Sequence, residues 1–342
     1  ETTLPPPLAD DRVGRLEIAL WLVPVLAFFA FPSYLVLGSQ VLIAGLFALS
    51  LDLILGYAGI VSLGHAAFFG VGAYVDGIAS VHGLSDPVMG LVVSAAVAGA
   101  LGFATSFLIV GGQALTRLMV TLAVGLSLHE VANQASSITG GSDGLSGMHT
   151  GALFGVFQFD LLGRVAYLYS LVLCFAGFLL VRRLIYSPFG LSLRGLRDNA
   201  RRMDAIGAPL RQRLNVAYTL SAALAGVAGA ASAQTTEFVG LEVLSLERSA
   251  SVLVMLVLGG AGRLYGGLIG SCLFMLLSSV LSDLDPAYWQ FWMGFTVVLV
   301  ALFARGGLLG HASAATTRLR RPKRAAVATQ LRSMQPDARG RP

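Results

Sequence analysis

Lysine is almost missing from this sequence. Of 342 residues only Lys323 is lysine, and it follows Arg321 and Pro322 close to the C-terminal end. A phosphate-binding P-loop needs a lysine directly after its glycine-rich turn. The glycine-rich stretches 56–72 and 259–270 therefore do not cradle a nucleotide, and small-residue packing between helices accounts for them more simply. Charge of either sign is scarce: charged residues make up 12% of the chain, against about 25% in a soluble one. The two cysteines, Cys174 and Cys272, stand far apart in apolar runs. They read as small buried residues rather than as a disulfide or a metal site. No HExxH, Cys/His cluster or nucleophile elbow is present, and His65, His129 and His149 are scattered. These absences argue against an enzyme; no metal, cofactor or nucleic-acid partner is expected.

Apolar surface is what the chain has in excess. Hydrophobic residues make up 56% of it and its mean hydropathy is +0.77. So much apolar surface with so few charges leaves the lipid bilayer as the solvent. A helix needs about 20 apolar residues to cross the hydrocarbon core. Ten runs meet or approach that length: 16–37, 41–57, 60–79, 88–110, 115–132, 164–181, 216–233, 250–260, 266–281 and 288–303. The expected fold is all-α, a polytopic transmembrane bundle of about 8–10 spans with glycine-broken helices. The first run is long for a signal-peptide core and reads as a retained span.

Basic residues collect in cytoplasmic loops. Arg182, Arg183, Arg194, Arg197, Arg201, Arg202, Arg211 and Arg213 crowd one loop, and Arg305, Arg318, Arg320, Arg321, Lys323 and Arg324 crowd the end of the chain. Four runs separate the two clusters, an even number, so both fall on the same side; six more runs back, Arg12 and Arg15 join them. The acidic residues Glu237, Glu242, Glu247, Asp283 and Asp285 fall in the opposite loops. The expected division is a cytoplasmic segment 1–15, a transmembrane domain 16–305 containing a cytoplasmic loop 182–213, and a basic, disordered cytoplasmic tail 306–342. Trp21, Trp289 and Trp292 stand near run ends, where an aromatic belt or core packing explains them equally well.

Three places are not generic. Residues 56–74, GYAGIVSLGHAAFFGVGAY, place Gly56, Gly59, Gly64, Gly70 and Gly72 with polar Ser62 and His65 in an apolar stretch. A tight helix crossing and a broken helix lining a solute path fit this pattern equally. Thr139-Gly140-Gly141-Ser142-Asp143-Gly144-Leu145 forms turns, as either a plain exposed loop or an outer gate. The Arg-rich loop carries Leu193, Leu196, Ala200, Met203 and Ile206 at spacings of three and four before Gly207 and Pro209. That pattern predicts a short helix capped by Ser192, with an Asp198–Arg202 pair on its basic face. It would lie on the membrane surface or dock into another protein. Asp52 and Asp76 interrupt apolar runs, where a charge costs about 2.5–3.5 kcal/mol on insertion scales; ion coupling would be one reason to keep them.

At these places the sequence resembles the permease subunits of the branched-chain amino acid ABC importers, the larger of their two permease types. The residues carrying the likeness are Gly56-Tyr57-Ala58-Gly59, Ser62 to Gly70, Gly72-Ala73-Tyr74, Gly140 to Gly144, Ser187-Pro188-Phe189-Gly190, and Gly259, Gly260, Gly262, Gly266 and Gly270. The resemblance implies four partners: a second homologous permease subunit, two cytoplasmic ATP-binding subunits and a periplasmic solute-binding protein. It implies a multi-pass protein of the bacterial inner membrane with both termini cytoplasmic. The expected substrate pathway draws on Gly59, Ser62, Gly64, His65, Gly70, Tyr74, Gly141, Ser142 and Asp143. The expected ATPase-coupling element is Leu196, Arg197, Asp198, Ala200, Arg201, Met203, Asp204, Ile206 and Gly207. Its basic character departs from the more acidic, Glu-containing element usual in the family. Relatives that carry urea, short amides or small carboxylates leave the solute open, and an ion-coupled secondary transporter is the competing reading.

Overall fold

The computed structural model describes residues 15–303 except 154, 156 and 161. The expected segment 1–15 and tail 306–342 lie almost wholly outside those residues. Twelve α-helices follow in order: α1 (Arg15–Ala30), α2 (Leu35–Asp52), α3 (Ala66–Val81), α4 (Pro87–Val110), α5 (Ala114–Gln134), α6 (Ser136–Thr139), α7 (Arg164–Ile185), α8 (Pro188–Ala205), α9 (Leu210–Thr236), α10 (Leu246–Gly259), α11 (Gly266–Leu284) and α12 (Trp289–Phe303). The chain is an all-α polytopic membrane bundle. Six of its helical segments, 32–57, 87–110, 114–134, 164–185, 210–236 and 266–284, are long and apolar enough to cross a bilayer.

Each of the ten apolar runs contains a helix, with boundaries moved for local reasons. Pro32 follows α1 and opens a short 3-10 turn, Pro32–Tyr34, so the first run ends seven residues early and the second helix starts at Leu35. Proline has no amide hydrogen to continue the ladder of α1. The run 60–79 is helical only from Ala66. Polar side chains start three helices: Asp86 Oδ1 accepts from the amides of Val88 at 2.9 Å and Met89 at 3.3 Å, Ser187 Oγ from Gly190 at 3.4 Å, and Ser245 Oγ from Arg248 at 3.1 Å. Each leaves fewer orphan amides at a helix N-terminus.

The Ala- and Gly-rich α9 is the central helix, buried along much of its length and packed on α2, α3 and α4. At the α3–α9 crossing, Gly72 lies against the backbone of Gly226 and Gly229 against the carbonyl of Phe69, with no room for a β-carbon. The glycines near 260 do the same for α10 and α11, where Gly259 meets the Gly266 carbonyl and Gly270 the Met255 carbonyl. In lipid, such close approach supplies packing that the hydrophobic effect does not. Exposed Val88, Val92, Phe103 and Phe107 make α4 a lipid-facing wall.

Two readings of single residues change. Trp21 packs edge-on against Phe175 and Phe178 of α7, with centroids 4.8 and 5.1 Å away, and so belongs to the core. Cys174 is buried as expected, but Cys272 is exposed; both are free thiols.

Candidate functional site

The chain leaves α2 through a π-helical turn, Leu53–Tyr57, and then runs without regular structure from 58 to 65 before entering α3. π-turns interrupt the ordinary hydrogen-bond ladder and often mark functional positions. Gly59 has φ +73°, which a side chain would resist. The segment folds back into the bundle rather than out of it, so Ser62 and His65 are fully buried. His65 Nε2 lies 2.9 Å from Ser50 Oγ, which itself donates to the Phe47 carbonyl at 2.7 Å. His65 is thus tied to α2 through Nε2, while its buried Nδ1 has no partner. The ring stacks on Phe47, centroids 5.5 Å apart and nearly parallel. Ser249 Oγ of α10 accepts the amide of Ala66, the first residue of α3, at 3.0 Å.

The expected pathway residues separate into two clusters. Ser62, Gly64 and His65 sit in the re-entrant segment, with Gly64 against the Thr121 carbonyl of α5. Gly70 is covered by Leu244, so both glycines serve close packing. Tyr74 belongs to a different cluster, packed with Ala132, Leu145, Val239 and Leu244. Gly140, Gly141 and Gly144 all take positive φ, and the loop is held by a two-way backbone bridge between Leu145 and Val239 at 2.8 and 3.1 Å. Ser142 and Asp143 remain exposed on it.

Both membrane aspartates have partners that sequence reading missed. Asp76 Oδ1 accepts from Gln234 Nε2 at 2.7 Å; the same nitrogen donates to the Pro87 carbonyl at 3.0 Å, and Tyr169 donates to the Gln234 amide oxygen. Asp52 Oδ1 accepts the amide of Gly262 at 2.7 Å, while Oδ2 has no partner. Beside this contact Arg197 reaches in from α8. Its guanidinium donates to the Gly56 carbonyl. Its stem lies on Gly59, and Nη1 is 2.7 Å from where a Gly262 β-carbon would be. Three glycines thus form a slot for one arginine. One turn back, the Arg194 guanidinium lies over the Tyr57 ring, 5.3 Å from its centroid. Two arginines from α8 therefore clamp the π-turn.

α8 itself differs from expectation. It starts at Pro188 with Ser187 as its cap, not at Ser192, whose hydroxyl donates back to the Phe189 carbonyl at 2.6 Å. Asn199 breaks it, with φ −160° and ψ 93°, and its Oδ1 accepts the Arg202 amide at 3.0 Å. Asn199 is thus the cap of a second short helix, and the break removes the helical i,i+4 geometry assumed for Asp198 and Arg202. Leu193 and Leu196 are buried within the bundle, and Met203 tucks against Gly195. Leu196 and Met203 therefore face inward. The outward surface is Asp198, Ala200, Arg201, Arg202, Asp204, Gly207 and Ile206, the last 71% exposed.

A cleft of ≈ 660 Å³ lined by Trp21, Pro24, Tyr167, Cys174, Leu268 and Cys272 lies elsewhere, between α1, α2, α7 and α11. Its apolar walls suit lipid tails better than a polar solute. Among the described residues no group of His, Cys, Asp and Glu could hold a metal ion.

A sequence model described as "Branched-chain amino acid transport system / permease component" matches residues 34–304. The high-affinity branched-chain amino acid transport system permease protein LivM of Escherichia coli K12 is 28% identical over 287 residues, covering 76% of this chain and 66% of that protein. The LivM of Salmonella typhimurium LT2 is 28% identical over 335 residues, covering 89% of this chain and 77% of its own length. No solved structure matches. The match over 34–304 takes in every described helix from α2 to α12, and on it the chain belongs to the branched-chain amino acid transport system permease family.

Proposed function

We propose that this chain is the membrane-spanning subunit of an ATP-driven importer for branched-chain or related amino acids. Its partners in this reading are a second homologous permease, two cytoplasmic ATP-binding subunits and a periplasmic solute-binding protein. It sits in a bacterial inner membrane with both termini and α8 on the cytoplasmic side. The chain supplies a pathway and no chemistry; the ATP-binding subunits bias it between inward- and outward-facing states.

The observation that carries this reading is the construction of α8. Its second half, 200–205, and the two residues after it present an exposed surface with Arg201, Arg202 and Ile206. Its first half is fixed to the π-turn through Arg194 and Arg197. A push on the exposed half reaches the re-entrant segment through the capped break at Asn199 and the two arginines. Ile206 is the cleanest reporter, because Met203 also packs internally. Ile206→Asp should abolish co-purification of the ATP-binding subunits while the chain still inserts and elutes as a folded protein. Undiminished co-purification would remove α8 from the interface.

The ion-coupled reading finds one favouring observation, the unpartnered Oδ2 of Asp52. It predicts uptake that continues without ATP while an ion gradient lasts.

A further inference from the structure

The geometry points to Arg248 as the residue that receives the carboxylate of the transported solute midway across the membrane. This rests on the importer reading and narrows its substrate class to solutes bearing a carboxylate, over urea and amides.

Depth comes first. The Arg248 guanidinium lies over the Phe69 ring, 5.2 Å from its centroid. Phe69 packs on Phe47 at 4.6 Å, and Phe47 is close to the midpoint of the membrane segment 32–57. The neighbouring Ser249 binds the first amide of α3. Arg248 is therefore a cation near the middle of the bundle, where such groups face a protein interior or water and mark ion or solute paths.

Its pairing is incomplete. Among the described residues no carboxylate lies within ion-pair distance of it, and its guanidinium donates no hydrogen bond. Glu242, across the short turn Leu241–Leu244, acts on it only electrostatically. The local backbone does not favour a cation either. Arg248 stands in the first turn of α10, where the helix dipole opposes positive charge. A half-buried guanidinium with an aromatic face beneath it and no carboxylate on it is suited to an anion that comes and goes.

Electrostatics around it agree. α3 begins at fully buried Ala66, and the Ser249–Ala66 bond holds the first turn of α10 against that N-terminus, with Leu246 and Glu247 ahead of it exposed. Interrupted helices whose N-termini converge near the midplane favour anionic groups on a substrate. Arg248 adds a full charge, and a guanidinium can grip a carboxylate through two parallel hydrogen bonds. Lysine in its place would keep the charge and lose the second bond.

The test uses the chain assembled with its partner subunits in proteoliposomes, with radiolabelled leucine delivered by the binding protein. Arg248→Gln should lower uptake by about tenfold or more, the loss expected for one charge-assisted hydrogen bond, with co-elution of the subunits unchanged. Arg248→Lys should restore part of it. Glu242→Gln separates the alternative that Arg248 only balances an internal charge. Equal losses in Glu242→Gln and Arg248→Gln, or leucine uptake by Arg248→Gln at the wild-type rate, would overturn the assignment. Wild-type uptake of urea or an amide without leucine would overturn the importer's substrate reading and this inference together. Wild-type uptake of another carboxylate, lost in Arg248→Gln, would overturn only the amino acid reading and keep Arg248.

Discussion

Replacing Arg197 with alanine removes a charged side-chain donor to the Gly56 carbonyl and empties the slot formed by Gly56, Gly59 and Gly262. A hydrogen bond from a charged group contributes about 1.5–3 kcal/mol. At 1.36 kcal/mol per decade, the equilibrium constant for seating α8 on the π-turn falls roughly ten- to a hundredfold. The exposed half of α8 is untouched, because Ala200 to Gly207 follow the break at Asn199. Arg197→Ala should therefore still bind the ATP-binding subunits, and those should still hydrolyse ATP. What should fall, by about tenfold or more, is solute moved per ATP hydrolysed in proteoliposomes. Asp52→Asn tests the same contact from the other side, since Asp52 holds Gly262 at 2.7 Å. Residues sharing one network couple by about 0.5–3 kcal/mol in a double-mutant cycle. Additive effects of the two changes, or unaltered transport per ATP in Arg197→Ala, would refute the idea that this contact transmits the stroke.

Two further predictions concern the frame around the site. Gly72→Val forces a side chain into the backbone of Gly226, and overpacking of this kind costs about 1–3 kcal/mol; a lowered thermal midpoint in detergent is expected, and an unshifted one contradicts the close α3–α9 crossing. Gln234→Leu strips partners from Asp76, the Pro87 carbonyl and Tyr169 at once. Each buried group left unsatisfied costs about 1–3 kcal/mol, so the protein should unfold at markedly lower temperature, whereas wild-type stability would mean that the network is not closed.

The class of the fold was legible because lipid as solvent acts on composition directly: an apolar run of 16–20 residues with no charge has few places to go other than a helix. Its boundaries were less so. Pro32 was a visible stop, yet the apolar residues either side of it hid the break. The turn at 58–65 looked like more helix because its residues are apolar; only Gly59 and Gly64 hinted that the backbone would leave the ladder there. Asn199 carried a readable cap signal that was masked by the regular spacing of Leu193, Leu196, Ala200 and Met203. That spacing also misassigned Leu196 and Met203, since periodicity identifies an apolar face but not what covers it, and here the bundle itself does. The pairing of Asp52 with Gly262, of Gly56 with Arg197 and of Asp76 with Gln234 joins residues 141 to 210 positions apart; nothing local in the sequence encodes such contacts. Arg248 stood in plain view as a charge two residues ahead of an apolar run, and only its depth in the bundle gives it meaning.

The central claim is that ATP hydrolysed elsewhere moves a solute through this chain. The direct measurement is accumulation of radiolabelled leucine in proteoliposomes holding the chain and its partner subunits, with the binding protein outside and ATP supplied to the nucleotide-binding face. The account predicts uptake that requires both ATP and the binding protein and is indifferent to ion gradients. Uptake that persists without ATP on an ion gradient, and disappears in Asp52→Asn, would contradict it.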